Sequence, residues 1–154
     1  MPSTEPTQPD SDTVQIEELD REECFRLLAT QTVGRLAVAE PGEAPHVLPV
    51  NYTLFGESVV FRTDRGTKLG LLMTHPVAFQ VDFVDQFHRC GWSVLLRGLA
   101  YEASDWEIEV EDGLTVEPFA PGGKWQWVRL TPQSVTGRRL TLPTAAPMDP
   151  RGYL

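Results

Sequence analysis

The chain has 154 residues, enough for one domain with a substantial core but too few for two. Hydrophobic residues make up 41% of it, and no apolar run approaches the roughly 18–20 residues that cross a bilayer. The formal net charge of −9 repels nucleic-acid backbones and anionic membrane surfaces. We therefore expect neither nucleic acid nor a membrane as a partner.

The two cysteines indicate the cellular compartment. Cys24 and Cys90 lie far apart, without the Cys-x-x-Cys spacing of redox or metal motifs. Two reduced thiols are typical of a cytoplasmic protein, and the N-terminus lacks the basic region and apolar core of a secretory signal. We expect a soluble, cytoplasmic protein.

Both ends of the chain offer little to bury. Residues 1–15 are rich in Pro, Ser, Thr and acids, and residues 142–154 are rich in Pro. Such segments cannot offset the entropy lost on ordering, so both are expected to be tails. The folded domain is expected to span residues 16–141.

The first predicted element is a short amphipathic helix. Asp20 and Glu23 have the spacing of a capping box, with Asp20 as the N-cap. Cys24, Leu27 and Leu28 then form one apolar stripe, so the helix is expected to lie across a sheet.

Most of the remaining chain has the apolar pattern of strands. The predicted strands are Val33–Ala39, His46–Leu54, Val59–Thr63, Val77–Phe83, Gly91–Glu102 and Lys124–Leu130. Helices are predicted at Lys68–Thr74 and Ser104–Glu111, and a loop at Asp112–Gly123. The first three strands predict an antiparallel meander, and the excess of strands predicts an antiparallel barrel with helices on its rim.

Two stretches could meet a ligand. Pro49 lies inside a predicted strand, which indicates an edge or bulge where backbone groups are open to a ligand. Farther along, two cations and two hydroxyls stand where a strand turns into a helix: Arg62, Thr63, Thr67 and Lys68. This combination suits a phosphate, although the same cations could simply be solvated. The phosphate motif Gly-x-x-x-x-Gly-Lys-Ser/Thr and the dinucleotide motif Gly-x-Gly-x-x-Gly are both absent.

Other chemistry has weaker support. The three histidines lack metal-binding spacing, and the acidic run Glu107–Asp112 reads best as a solvated face, so no metal is expected. The sequence contains no Gly-x-Ser-x-Gly motif, and we assign no catalytic residue. The four tryptophans fit core packing, and they could also stack on a planar cofactor.

Five segments in order resemble the pyridoxamine-phosphate oxidase-like proteins, the FMN-binding split β-barrel family. The matching segments are Val33–Ala37, Pro45–Tyr52, Phe61–Leu69, Gly91–Gly98 and Val135–Arg139. The resemblance covers about Leu19 to Arg139. It implies a mainly β fold, a six-stranded antiparallel split barrel with flanking helices, and a homodimer with FMN in clefts between the subunits.

The resemblance also implies a set of cofactor-binding residues. They are Pro49, Val50, Asn51, Arg62, Thr63, Thr67, Lys68, Trp92, Ser93, Trp127 and Arg138. The two cations and two hydroxyls at 62–68 would hold the FMN phosphate, and residues 49–51 would meet the isoalloxazine ring. Ser93 would lie near the ring with Trp92 beside it, while Trp127 and Arg138 would approach from the second subunit.

The function implied is an FMN-dependent oxidoreductase with a small-molecule substrate that the sequence does not identify. The substrate-binding arginine and histidine motif of true pyridoxamine-phosphate oxidases is not recognisable near the C-terminus, which argues against B-vitamin oxidation. Two alternatives stay open: a deazaflavin-dependent reductase, and a non-enzymatic flavin- or haem-binding sensor or storage protein on the same fold.

Overall fold

The computed structural model describes residues 14–64, 66–104 and 125–141, and gives only the backbone of Thr67, Lys68 and Trp125. In chain order the elements are β1 (Gln15–Leu19), α1 (Arg21–Leu28), β2 (Val33–Val38), β3 (His46–Phe55), β4 (Ser58–Asp64), α2 (Thr67–Thr74), β5 (Val77–Asp85), β6 (Cys90–Ala103) and β7 (Trp125–Thr141). The predicted loop at 112–123 and tail at 142–154 lie outside the described residues, as do residues 1–13 and all of the predicted helix at 104–111 except Ser104.

Six strands close into a barrel. The strand order is β1-β7-β4-β3-β2-β5-β6. A further pairing of β7 with β6 closes the six strands β2 to β7 into a ring. Each described pairing is antiparallel. The predicted six-stranded antiparallel split barrel with flanking helices is therefore confirmed.

The strand β1 was not predicted. It pairs with the last five residues of β7, with Gln15 opposite Thr141 and Leu19 opposite Gly137. Its side chains are mostly polar and exposed, so no alternation of apolar residues marks it in the sequence. These β7 residues lie beyond the part of β7 that pairs with β4, so one edge of β7 is open to β1. The formation of β1 therefore depends on a part of the chain that is distant in sequence.

The strand β7 is longer than predicted. The prediction ended at Leu130, but the strand continues to Thr141 and pairs with β6 over most of its length. A register shift between Arg97 and Gly98 places Gly98 opposite Pro132. This irregularity accommodates the proline and hides the continuity of β7 from a reading of the sequence.

The first helix forms as its sequence predicts. The Asp20 carboxylate accepts a hydrogen bond from the Glu23 amide at 2.8 Å, and Cys24, Leu27 and Leu28 are buried. The stripe packs onto the barrel core. The largest fully buried side chains of that core are Phe61, Phe79, Leu27, Leu28, Leu36, Leu72, Leu96 and Leu130.

Helix α1 approaches β7 at a glycine. A Cβ atom placed on Gly137 would lie 2.5 Å from Cys24 Sγ and 3.2 Å from Leu19. Gly137 therefore gives α1 the space to reach the barrel wall, and the same residue lies in the family-like segment at the end of the chain.

We predict that Gly137→Ala destabilises the protein by about 1–3 kcal/mol, because the added methyl group must displace the helix. Gly70→Ala is the matched control: Gly70 is an exposed helical residue with open space around its Cβ position, so the change should stabilise by about 0.5–1 kcal/mol. Urea denaturation measures both. Equal effects of the two changes would contradict the close approach.

A three-residue ion cluster ties α1 to β7. The Glu23 carboxylate accepts hydrogen bonds from Arg26 at 2.6 Å and also from Arg139. These bonds, the Arg26 bond foremost, lower the pKa of Glu23 to about 2 against partial burial, which raises it. Arg139 also reaches Glu17 on β1, at 3.2 Å.

We predict that the Glu23 contribution to stability is fully present above about pH 5 and is lost as the pH falls towards 2, since protonation breaks the cluster. With the carboxylate 25% exposed, solvent screening reduces the expected loss to about 1–2 kcal/mol. The free energy of unfolding of the wild type should fall more steeply with acid than that of Glu23→Gln. Parallel curves for the two proteins would refute the role of the cluster.

Candidate functional site

The barrel wall opens between β3 and β4. Over Tyr52–Phe55 the strand β3 pairs with β4, but over His46–Asn51 its described partner is β2 alone. We call this opening the β3–β4 split. Its edges are residues 49–51 of β3 and residues 62–63 of β4, so it brings together the two stretches that the sequence singled out.

Tyr52 holds the end of the split. Its backbone amide donates to Thr32 O at 3.0 Å, and its phenol donates to Leu28 O at 2.5 Å. Its ring packs edge-on against Phe79, with 5.0 Å between ring centroids. Burial raises the pKa of this phenol, so it stays protonated and keeps donating to α1.

The β3 edge of the split exposes backbone groups. Because the Tyr52 amide points towards β2, alternation along the strand points the Val50 amide to β2 and the Pro49 nitrogen into the split. Proline therefore removes no ladder hydrogen bond there. The side chain of Val50 packs against the core, whereas that of Pro49 is exposed. Val50 thus lies on the inner face of this strand and Pro49 on its outer face.

The β4 edge carries a cation. The guanidinium of Arg62 lies 4.7 Å from the centroid of the Trp127 ring, and Trp127 is the partner of Arg62 in the β4–β7 register. Arg62 Nε is buried without a hydrogen-bond partner. A guanidinium held by stacking, with unused donor capacity and no carboxylate ion-paired to it among the described residues, suits an oxyanion such as phosphate.

Helix α2 begins beside this edge. Gly66 is its N-cap and offers no side chain to cap the first amides of α2, although the Leu69 amide donates to Gly66 O at 3.0 Å. Thr67 and Lys68 occupy the first two helical positions, as a phosphate site would require. Their side chains lie outside the described part of the chain, and their roles stay predictions.

A protein-family model described as pyridoxamine 5'-phosphate oxidase matches residues 20–139, which include both edges of the split. The chain belongs to the pyridoxamine 5'-phosphate oxidase-like family. The resemblance found in the sequence is thereby confirmed.

Individual relatives are similar over most of their length. An uncharacterised protein of Mycobacterium tuberculosis is 31% identical over 139 residues, which are 86% of this chain and 91% of that protein. The solved FAD-binding protein from Mycobacterium smegmatis is 31% identical, with a TM-score of 0.71 over 81% of this chain and 98% of its own. A conserved protein of unknown function from Corynebacterium diphtheriae is 33% identical, with a TM-score of 0.66 over 80% and 96%.

Two of the residues that the family resemblance selected lie far from the split along the strands. Ser93 and Arg138 are register partners on β6 and β7 and line a surface groove. Trp127 and Arg138 are eleven positions apart on β7, roughly 35 Å in an extended strand. One small molecule is too short to touch both residues of the same protomer.

The surroundings of Trp127 and Trp92 bear on the roles that the family resemblance implies for them. Trp127 stacks on Arg62 of its own protomer, although the resemblance placed it in the second subunit. Trp92 is 3% exposed and packs in the core, and neighbouring strand residues point to opposite faces, so it cannot share a surface with Ser93. A cofactor contact by Trp92 stays a prediction that its burial does not favour.

Arg35 and Arg97 were not selected from the sequence. Arg35 lies between Pro49 and Gln80 in the register and forms an ion pair with Asp82 at 2.7 Å. Arg97 is exposed and lines the groove beside Ser93. Each arginine is an exposed strand residue between two buried ones. That alternation in the sequence could have indicated an arginine on the outer face of the barrel.

The described residues show neither a metal-binding cluster nor a membrane-spanning helix. They contain no group of three or more His, Cys, Asp or Glu side chains that could hold a metal ion. Within the same ranges, neither helix is long and apolar enough to cross a membrane.

We predict that Pro49→Ala changes the free energy of unfolding by less than about 1 kcal/mol, because its nitrogen faces the split rather than a partner strand. Val50→Pro should cost about 3 kcal/mol or more, since it removes an amide directed to β2. Urea denaturation of both variants checks this. A larger loss for Pro49→Ala than for Val50→Pro would show that the strand alternation is wrong.

Proposed function

We propose that this protein binds FMN at the β3–β4 split and uses it in an oxidoreductase reaction on a small molecule. Arg62 carries the proposal, because it is stacked on Trp127 beside the start of α2 and its buried Nε has no hydrogen-bond partner. The phosphate would lie against the Arg62 side chain and the backbone of Thr63, whose own side chain points to the opposite face of β4, with Thr67 and Lys68 completing the site.

The isoalloxazine ring would lie along the β3 edge. Its polar rim could hydrogen-bond to the backbone of residues 49–51, where the Pro49 carbonyl points away from β2. Val50 would contribute its backbone only, since its side chain packs against the core. Asn51 borders the same edge. The chain's own part in the reaction is thus to fix the ring and neutralise the phosphate, while bound flavin supplies the redox chemistry.

A second protomer is part of the proposal. The separation of Ser93 and Arg138 from Trp127 along β6 and β7 favours a cleft between subunits, with Ser93 and Arg138 facing the ring of the partner's flavin. A homodimer would satisfy this arrangement. A cytoplasmic location completes the proposal, supported by two buried cysteines that form no disulfide.

The similarity to the FAD-binding protein of M. smegmatis supports a flavin. It also makes FAD a second candidate, because FAD and FMN share the ring and the first phosphate. A deazaflavin reductase and a non-catalytic flavin or haem protein on this fold remain the alternatives to be separated by experiment.

We predict that Arg62→Gln weakens FMN binding by about 1.5–3 kcal/mol, roughly 10- to 150-fold, through loss of a charge-assisted phosphate contact. Riboflavin has no phosphate, so its affinity should not change. Fluorescence titration of the purified protein measures both ligands. FAD in the same titration, followed by turnover with a nicotinamide donor, would identify the flavin and separate an enzyme from a binding protein.

Arg129→Gln is the matched control for this experiment. Arg129 also stacks on an aromatic ring, that of Phe55 at 4.3 Å, and its Nε is likewise buried without a partner, but its guanidinium lies at the hairpin end of β3 and away from the split. FMN affinity should therefore be preserved in this variant. An unchanged FMN affinity in Arg62→Gln, or no flavin binding by the wild type, would refute the proposal.

A further inference from the structure

A second concave surface lies on the outside of β5, β6 and β7. We call it the β6–β7 groove, and its principal lining residues are Gln80, Ser93, Leu95, Arg97, Thr136 and Arg138. Its volume of about 730 Å³ is in the range of sites that hold small molecules. The groove is continuous with the outer face of the barrel, because the intervening residues Val94 and Leu96 are fully buried in the core.

The strand register arranges polar groups across this groove. Arg97 is opposite Ser134, and Arg138, four residues farther along β7, is opposite Ser93. The Cα atoms of the two arginines are thus roughly 14 Å apart, with Thr136 between them on the same face. Two extended arginine side chains can converge over that distance on one ligand, with hydroxyl groups beneath it.

These two arginines lack the partners that most others have. Of the nine described arginines, four form ion pairs with carboxylates and two more stack on aromatic rings, namely Arg62 and Arg129. Arg89, Arg97 and Arg138 have no ion pair among the described residues. In a chain with 22 acids and 13 bases, two unpaired arginines in one concavity create a local positive field against the overall charge.

A carboxylate is near but does not neutralise this site. Glu18 is the register partner of Arg138 and also lines the groove, yet the two form no ion pair within 4 Å. Asp82, the register partner of Ser93, is occupied by Arg35 at 2.7 Å. The guanidinium donors of Arg97 and Arg138 therefore stay available to an external anion.

Apolar surface adjoins the cations. Arg97 also borders a smaller cavity of about 330 Å³ on its other side, whose remaining lining is made of small and apolar residues. These include Ala37, Pro45, Pro76 and Ala78. A ligand that reaches both cavities from Arg97 would combine an anionic group with a compact apolar body.

We propose that the β6–β7 groove binds an organic oxyanion, a carboxylate or phosphate monoester on a compact apolar body, through Arg97 and Arg138. The proposal that the groove binds an anion depends only on the residues of the groove. That the anion is the substrate rests on the proposed flavin function, in which Ser93 and Arg138 face the ring from the second protomer.

Titration of the ¹⁵N-labelled full chain by NMR, at low salt, tests the binding. Benzoate and phenyl phosphate are the probes, and they distinguish a carboxylate from a phosphate ester. Benzamide is the neutral analogue of the same shape. We expect saturable shifts at β6 and β7 with either or both anions and none with benzamide.

Variants test the two arginines. Arg97→Gln and Arg138→Gln should each weaken binding of the anionic probe by about tenfold or more, and Arg97→Lys should weaken it less because the charge remains. Arg89→Gln removes the same charge at the β5–β6 turn, outside the groove, and should leave the affinity unchanged. Because these arginines are exposed, the variants should keep the wild-type stability, and urea denaturation checks that they are folded.

Three results would overturn the inference: no binding of either anion, equal binding of benzamide, or an equal loss in Arg89→Gln. Flavin titration of the same samples separates the two proposals. Flavin binding without anion binding would remove the groove inference alone, and anion binding without flavin binding would remove the proposed function alone.

Discussion

Tyr52 is the residue on which the geometry of the split depends. It is the first residue of β3 that pairs with β4, while its amide still bonds back to the chain just before β2. Its buried phenol donates to the last turn of α1, and its ring meets Phe79 on β5. One side chain thus joins the helix, the core and the point where β3 and β4 separate. The opening is consequently a fixed part of the barrel, framed by strands whose other edges are paired.

The acidic chain keeps positive charge that no carboxylate neutralises at two places that could bind an anion. Four of the nine described arginines are neutralised by carboxylates, for example Arg35 by Asp82 and Arg139 by Glu17 and Glu23. Arg62 is held by an aromatic ring, which orients a guanidinium without consuming its charge. Of the five described arginines without an ion pair, Arg62 lies at the split, and Arg97 and Arg138 lie in the β6–β7 groove, so both places keep positive charge. An anionic cofactor at the first and an anionic small molecule at the second would suit this distribution.

Local sequence signals predicted much of the fold. The capping pair Asp20 and Glu23, the stripe of α1 and the alternation of β5 all depend on residues close in sequence, and the structure has them where expected. The strand β1 and the second half of β7 were missed because long-range pairing stabilises them, in spite of polar side chains in one and Pro132 in the other. Pairing over such separations is not encoded in any short window.

The candidate site was predictable to a similar degree. The alternation of β3 was enough to place Pro49 on the outer face, and the family-like segments brought Arg62 and Ser93 into consideration. The stacking of Arg62 on Trp127 was not predictable, because it follows from the β4–β7 register between residues 65 positions apart. Strand parity alone would have separated Trp92 from Ser93. Arg97 was passed over because an exposed arginine in a strand has no distinctive pattern until its neighbours are known.

A crystal structure of the chain grown with FMN tests the central claim most directly. The account predicts the FMN phosphate within hydrogen-bond distance of the Arg62 guanidinium at the start of α2, with the ring along residues 49–51 and Ser93 of a second protomer facing it. A phosphate bound elsewhere, with Arg62 still stacked on Trp127 and touching no ligand, would contradict it.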